Sequence, residues 1–318
     1  MSRAALAVLF TALIAGPAAA GPAIQYTAGR VANPQATSTL TYRGGPILDH
    51  VKVFTVYWGK SVAYSGTGSQ GLDSFYTGVV NSPYYDWLIE YKTSSQPSVG
   101  RGSFLGSYAY TAGATGSITD SQIESALGKL IDAGSLPTPD ANTLFAIHFA
   151  SGISITMSDG SKSCSVFCAY HSSFKHGSAN VYYSVVPDQG GSCAGGCGND
   201  ASTFNNTTSV ASHELVEATT DANVGQNDLA WYNDSKGEIG DICNAQQGCA
   251  DGTKAPCSSG AYTVQLEWSN SLNKCISTNP NVSVNDFSVT ANPTSLTVAQ
   301  GQYSSRESSL NNTKSSTS

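Results

Sequence analysis

Residues 209–221 read SVASHELVEATTD, and within them His213, Glu214 and Glu217 form the pattern H-E-x-x-E. On a helix, side chains four positions apart share a face, so His213 and Glu217 project together while Glu214 lies one step round from His213. This is the geometry of the H-E-x-x-H helix with Glu in place of the second His. In that helix two side chains hold zinc, and the intervening Glu deprotonates water for attack on a carbonyl. A carboxylate ligates zinc at about 2.0–2.2 Å, much as an imidazole does, so His213 and Glu217 are expected ligands and Glu214 the expected general base. A catalytic zinc needs a third protein ligand and an open position. Glu238, 21 residues beyond Glu217 in WYNDSKGEIGD, is the expected third ligand. Asp221 and Asp241 are placed to orient the histidine, and His171, in CAYH, is an alternative ligand. So oxygen-rich a set would also suit calcium. The bland alternative is a solvated surface helix with Glu214 and Glu217 facing water.

Other chemical patterns are weaker. Residues 66–71 (GTGSQG) match G-x-G-x-x-G, but they begin seven residues after the preceding strand ends and read as a Gly/Ser turn. Residues 190–194 (GGSCA) lack the last Gly of a nucleophile elbow. His148 sits inside LFAIHFA, where a satisfied core histidine is expected; His50 and His176 are isolated. The Tyr-rich pieces 84–87 (YYDW) and 181–184 (VYYS) could stack on sugars, but core packing is the commoner use.

The motif needs a scaffold. Residues 51–58 (VKVFTVYW) are β-branched and aromatic with apolar residues on both faces, which predicts a strand buried on both sides. Two short helices broken at Pro83 are expected over 71–92, and a strand over 103–111. A helix is expected over 118–134, opened by a capping box of Thr119 with Gln122 and closed by Gly134. Strands are expected over 142–150 and 181–186, with 153–157 forming a hairpin with the first. The site helix is expected over 209–220, capped by Thr207 or Thr208, with Leu215 and Val216 towards the core. Residues 262–268 alternate like a late strand. This alternation predicts an α/β fold: a mixed sheet with flanking helices over 45–277.

All eight cysteines, Cys164, Cys168, Cys193, Cys197, Cys243, Cys249, Cys257 and Cys275, fall in the second half. An even count suits disulfides in an exported chain. The pairing expected is Cys164–Cys168, Cys193–Cys197, Cys249–Cys257 and Cys243–Cys275. Export is also written into residues 1–20: Arg3, an apolar run over 4–15 and the small residues Ala18, Ala19 and Ala20 make a signal peptide. Residues 21–44 read as an extended leader. Residues 278–318 read as a linker with a truncated immunoglobulin-like or disordered tail, since such a module needs about 100 residues. With 15 Lys and Arg against 22 Asp and Glu, the 318-residue chain carries a net charge of −7. No basic cluster exists to neutralise phosphates, which excludes nucleic acid, and no 18-residue apolar stretch argues for membrane insertion.

Two resemblances add to this. The helix followed by a Glu some twenty residues on resembles the thermolysin-like gluzincins. Gly44-Gly45-Pro46-Ile47-Leu48 followed by VKVFTVYWGK, with Phe167-Cys168-Ala169-Tyr170-His171 and Cys193-Ala194-Gly195-Gly196-Cys197-Gly198, resembles the plant EXORDIUM, or phosphate-induced, secreted proteins over about 44–200. That resemblance implies an extracellular α/β protein associated with the cell surface. HELVEATTD departs from that family's pattern and suggests a bacterial-type relative with a zincin-like helix. Two functions are therefore expected: a secreted metal-dependent hydrolase, foremost a zinc peptidase, acting on extracellular protein or peptide; or a non-catalytic protein that binds cell-wall polysaccharide or signals.

Overall fold

The computed structural model describes residues 38–113, 116–258, 260–282, 287–292 and 307–312. The signal segment 1–20 and residues 21–37 of the leader lie outside them. In chain order the elements are β1 (Thr41–Tyr42), β2 (Lys52–Trp58), α1 (Leu72–Val79), α2 (Pro83–Asp86), β3 (Ser103–Tyr110), β4 (Ser117–Thr119) and α3 (Asp120–Asp132). Then come β5 (Thr143–Phe149), β6 (Ser154–Thr156), β7 (Tyr170–His176), β8 (Ala179–Val186), α4 (Thr203–Thr220), β9 (Trp231–Tyr232), β10 (Gln247–Cys249), β11 (Thr263–Gln265), β12 (Glu267–Ser269) and β13 (Lys274–Ile276). Contacts divide the chain after Thr278. Beyond it, β14 (Phe287–Asn292) and β15 (Glu307–Asn312) form an antiparallel pair. The rest of the segment expected to form a truncated immunoglobulin-like or disordered tail lies outside the described residues.

The centre is a five-stranded mixed sheet of order β3-β2-β5-β8-β7, parallel except for β7. Both long faces are covered, so β5 (TLFAIHF) is buried at every position. Successive side chains point to opposite faces. Val56 and Trp58, Phe145, Ile147 and Phe149, Val181, Tyr183 and Val185, and Tyr170 pack on the face covered by Ile123 and Leu127 of α3. Each such buried side chain contributes roughly 1.5–3 kcal/mol. The alternate residues, His148, Ser184 and His171 among them, are left for the other face, where α1 and α4 pack.

The capping box of α3 is formed: Thr119 Oγ1 accepts from the Gln122 backbone N–H at 3.4 Å, and Gln122 Oε1 accepts from the Thr119 N–H at 2.9 Å. Four other expectations are corrected. β6 does not form a hairpin with β5, whose two edges are already taken by β2 and β8; it pairs in parallel with β4. Residues 262–268 do not form one strand. At Leu266, whose N–H donates to Gln246, the chain passes from a pairing with β10 to one with β13. Helix α4 begins earlier, capped by Ser202, and Thr207 and Thr208 lie within it.

The fourth concerns the disulfides. Cys243–Cys275 and Cys249–Cys257 form as expected, but the two C-x3-C segments bridge each other, Cys164 to Cys193 and Cys168 to Cys197. Cys197 N–H donates to the Cys193 carbonyl at 3.0 Å, a helical turn. Cβ atoms four apart on such a turn are about 5–6 Å apart. That exceeds the roughly 3.5–4.5 Å a disulfide spans.

One carboxyl pair under α3 sets a pH response of its own. Asp120 Oδ1 accepts from the Tyr170 and Tyr183 hydroxyls at 2.6 and 2.7 Å, and Tyr183 also donates to Glu124 Oε1 at 3.2 Å. Burial, then the Asp120 charge, push the half-buried Glu124 up to about 7. Between the ordinary glutamate value and about 7 the folded chain holds a proton that the unfolded chain has released, so stability falls as pH rises through that window. Glu124→Gln is expected to match wild type near pH 4 and to melt higher near pH 8. The gain is about 1 kcal/mol after discounting for partial exposure, or about 2–4 °C, read by thermal melts at the two pH values.

Candidate metal centre

Helix α4 is buried along almost its whole length although it is rich in Thr and Ser and carries His213, Glu214 and Glu217. Its hydroxyls make this tolerable by bonding back along the helix: Thr207 to the Thr203 carbonyl, Ser212 to Ser209, Thr219 to Leu215 and Thr220 to Val216, at 2.7–3.0 Å. The acids and the histidine have no such outlet, so their environment must come from other elements.

Those elements are β7, the α4 C-terminus, the β9–β10 connection and β12. The strand alternation of β7 aims His171 at α4, level with Ser184 near the carboxyl end of β8. His171 Nδ1 lies 3.4 Å from Glu214 Oε2 and 3.5 Å from Glu217 Oε2. Its Nε2 lies 3.4 Å from Glu238 Oε1 and 3.3 Å from the Asp221 carbonyl oxygen. On the other side of Glu217, His213 Nε2 is 2.9 Å from Glu217 Oε1 and 4.0 Å from Asp241 Oδ1. The chain thus brings every expected site residue into one cluster. Within it, the acid grouped with His213 and Glu217 is Asp241, whereas Glu238 stands against His171. Asp241 Oδ2 accepts from the Glu238 N–H at 3.0 Å, and Glu217 Oε1 from the Asp241 N–H at 3.1 Å. Asp221 Oδ1 accepts from the Ala230 N–H at 2.7 Å.

Sequence reasoning missed three members. Glu267 on β12 is wholly buried, with Oε1 accepting from the Tyr84 hydroxyl at 2.9 Å. Gln265 Nε2 donates to the Gly240 carbonyl at 3.0 Å and lies 2.6 Å from His213 Nδ1. A Cβ on Gly240 would meet His213 Nδ1 at 2.7 Å and Glu217 Oε1 at 2.9 Å. The available signal was polar residues in the apolar run TVQLEWS, and a Gly between two acidic positions in EIGD.

Six acids, Glu214, Glu217, Asp221, Glu238, Asp241 and Glu267, therefore surround two imidazoles, and their ion pairs are with those imidazoles. Two positive charges cannot balance six negative ones, and an uncompensated buried charge costs several kcal/mol. In the protein alone, protons make up the difference. Burial pushes Glu214, Glu238, Asp241 and Glu267 up, and Asp221 up to about 7. Burial also acts on Glu217, but the His213 charge and the His171 contact hold it down at about 2. Burial alone would lower both histidines; Glu238 on one and Glu217 on the other carry them well above the usual value instead.

Even so, seven buried atoms make no hydrogen bond of ordinary geometry: His213 Nε2, Glu214 Oε1, Glu217 Oε2, Asp221 Oδ2, both Glu238 oxygens and Glu267 Oε2, although His213 Nε2, Glu217 Oε2 and Glu238 Oε1 keep their ion-pair contacts. Buried polar atoms are ordinarily satisfied, and a divalent cation there would supply both the missing partners and the missing charge. The donor set of imidazole and carboxylate suits zinc, and its oxygen excess suits calcium.

The other sequence candidates are structural. His148 is a core residue 2.9 Å from the Tyr76 hydroxyl, and burial pushes it down to about 3. His176 pairs with Asp132 at 2.8 Å on the surface. Tyr84, Tyr85, Trp87, Tyr182 and Tyr183 are buried, so neither Tyr-rich piece offers a sugar platform. Residues 66–71 form the turn into α1, with the Gly71 N–H donating to the Gly68 carbonyl.

No family model, curated protein or solved structure matches the chain. The four disulfides fit an oxidising compartment, and no helix among the described residues is long and apolar enough to cross a membrane.

Proposed function

We propose that the chain is a secreted metal-dependent hydrolase, foremost a zinc peptidase, built on the H-E-x-x-E helix. The observation that carries this reading is the set of seven buried donor atoms without a hydrogen bond of ordinary geometry, His213 Nε2, Glu214 Oε1 and Glu217 Oε2 among them. His213, Glu217 and Asp241 would hold the ion, and Glu238 would orient His171 from the nitrogen opposite Glu214. A zinc ion supplies Lewis acidity, polarising a carbonyl and acidifying water to a pKa near about 7. The chain itself supplies the base. Glu214 Oε1 has no hydrogen bond and is free to take a proton, and burial already raises its affinity for one.

Glu214→Gln is expected to leave the metal content of the dialysed protein unchanged, because the amide keeps an oxygen. Turnover of a peptide substrate should fall about 10²–10⁴-fold. Full activity in that variant would remove the base assignment.

One observation favours a second reading. Glu214 and Glu217 are 0% exposed, and of the grouped acids only Asp241 keeps some side-chain exposure, at 16%. A closed ion site is the mark of a structural metal. That would suit the non-catalytic, EXORDIUM-type extracellular protein that binds cell-wall polysaccharide or signals. A peptide-library digest run beside a pull-down on insoluble glycan separates the two: cleavage supports the hydrolase, and metal-loaded retention without cleavage supports the binder.

A further inference from the structure

Glu217 belongs to both groups of potential ligands, and it enters them through different oxygens. Oε1 faces His213, whose Nε2 also faces Asp241; Oε2 faces His171, whose Nδ1 also faces Glu214. We propose that the centre is dinuclear: Glu217 bridges two divalent cations, one held with His213 and Asp241, the other with His171 and Glu214. This rests on the metal-site reading above and deepens it.

The spacing argues for ions rather than hydrogen bonds in the second half. Ligands at about 2.0–2.2 Å from a tetrahedral ion stand about 3.3–3.6 Å from one another, whereas a charge-assisted N–H to carboxylate bond closes to about 2.7–2.9 Å. His171 Nδ1 is 3.4 and 3.5 Å from its two carboxylate oxygens. Its opposite nitrogen faces Glu238 and the Asp221 carbonyl, the acceptors that fix a ligating imidazole's tautomer. In this half Glu214 would ligate through Oε2, and its unbonded Oε1 remains free for a proton. Paired ions about 3.5–4 Å apart clamp both sides of a displacement in many hydrolases, and a bridging carboxylate such as Glu217 suits such a pair.

The halves are not equivalent. Gln265 Nε2 stands 2.6 Å from His213 Nδ1, and an imidazole that ligates through Nε2 keeps its proton on Nδ1, so two N–H groups would oppose one another there. Loading that half requires the Gln265 amide to turn and give up its bond to the Gly240 carbonyl.

The test is metal stoichiometry of the full chain after stripping and equilibrium dialysis against zinc, by elemental mass spectrometry. Wild type is expected to hold two equivalents, and His171→Ala and Asp241→Ala are each expected to lose one. Manganese loading of wild type supplies a readout independent of variant folding: an exchange-coupled resonance spectrum supports the pair. One equivalent in wild type with an isolated-ion spectrum overturns the dinuclear centre and leaves a single-metal hydrolase standing. No bound metal overturns both.

Discussion

Zinc added to the metal-stripped chain is expected to raise its Tm by about 8–16 °C. An ion present at a thousand times its Kd stabilises the folded state by about 4.1 kcal/mol, and a folded unit of this size gains about 2–4 °C per kcal/mol. The increment arises because the cluster otherwise neutralises itself with protons. Glu238, Asp241 and Glu267 are pushed up by burial, and Glu238 still leaves both oxygens without a hydrogen bond. A carboxyl raised in the folded state contributes stability at acidic pH that is lost as pH rises towards its folded value. The two raised histidines behave alike: their contribution is complete below the ordinary histidine value and is lost as pH rises through the folded one. Metal-free protein should therefore weaken from about pH 5 to about pH 8. The zinc increment should grow over the same range, because ligands must shed protons to bind. Calorimetry with and without zinc at both pH values, reversed by a chelator, checks the sign and the size. No change in Tm at saturating zinc or calcium at either pH would remove the metal reading.

Much of the scaffold was legible because its signals are local. β2 announces itself through VKVFTVYW and α3 through a capping box ahead of Ile123 and Leu127. What failed was pairing, which depends on which edges remain free: β5 had none left for β6, and the cysteine segments met across 29 residues of chain rather than within themselves. Helix α4 was visible but its surroundings were not. A helix carrying His, Glu, Thr and Ser reads as a surface helix, and only the hydroxyls bonding back to their own turns let it be buried. The candidate site was legible in its residues and not in its grouping. His171, Asp221, Glu238 and Asp241 lie in one cluster with His213 and Glu217, yet which acid stands by which histidine depends on β7 alternation and on the turn after Glu238. Glu267 and Gln265 were hidden because they lie in an apparent strand that breaks at Leu266.

The Glu238 turn also holds the most discriminating single change. Gly240→Ala is expected to abolish the zinc-induced rise in Tm and also to lower the metal-free Tm. Gly240 has φ −79° and ψ −38°, ordinary right-handed helical values that alanine adopts without strain. Its whole effect is therefore steric. The new Cβ would stand 2.7 Å from His213 Nδ1, 2.8 Å from His213 Cε1 and 2.9 Å from Glu217 Oε1. His213 cannot retreat, since Gln265 stands against its Nδ1 side and Glu217 against its Nε2, and Glu217 is shared by both ligand groups. Overpacking of this kind costs about 1–3 kcal/mol, or about 2–12 °C, through displacement of His213 and Glu217 themselves. Gly195→Ala provides the control: a Cβ there meets nothing within 4 Å, so its effect should stay within about 0.5 kcal/mol. If Gly240→Ala melts lower but keeps the full zinc increment, His213 and Glu217 lie outside the metal's coordination, and the ion, if bound, sits elsewhere in the fold. If the increment vanishes while the Gly195→Ala control behaves as wild type, the ion's place is at the meeting of α4 and the Glu238–Asp241 turn.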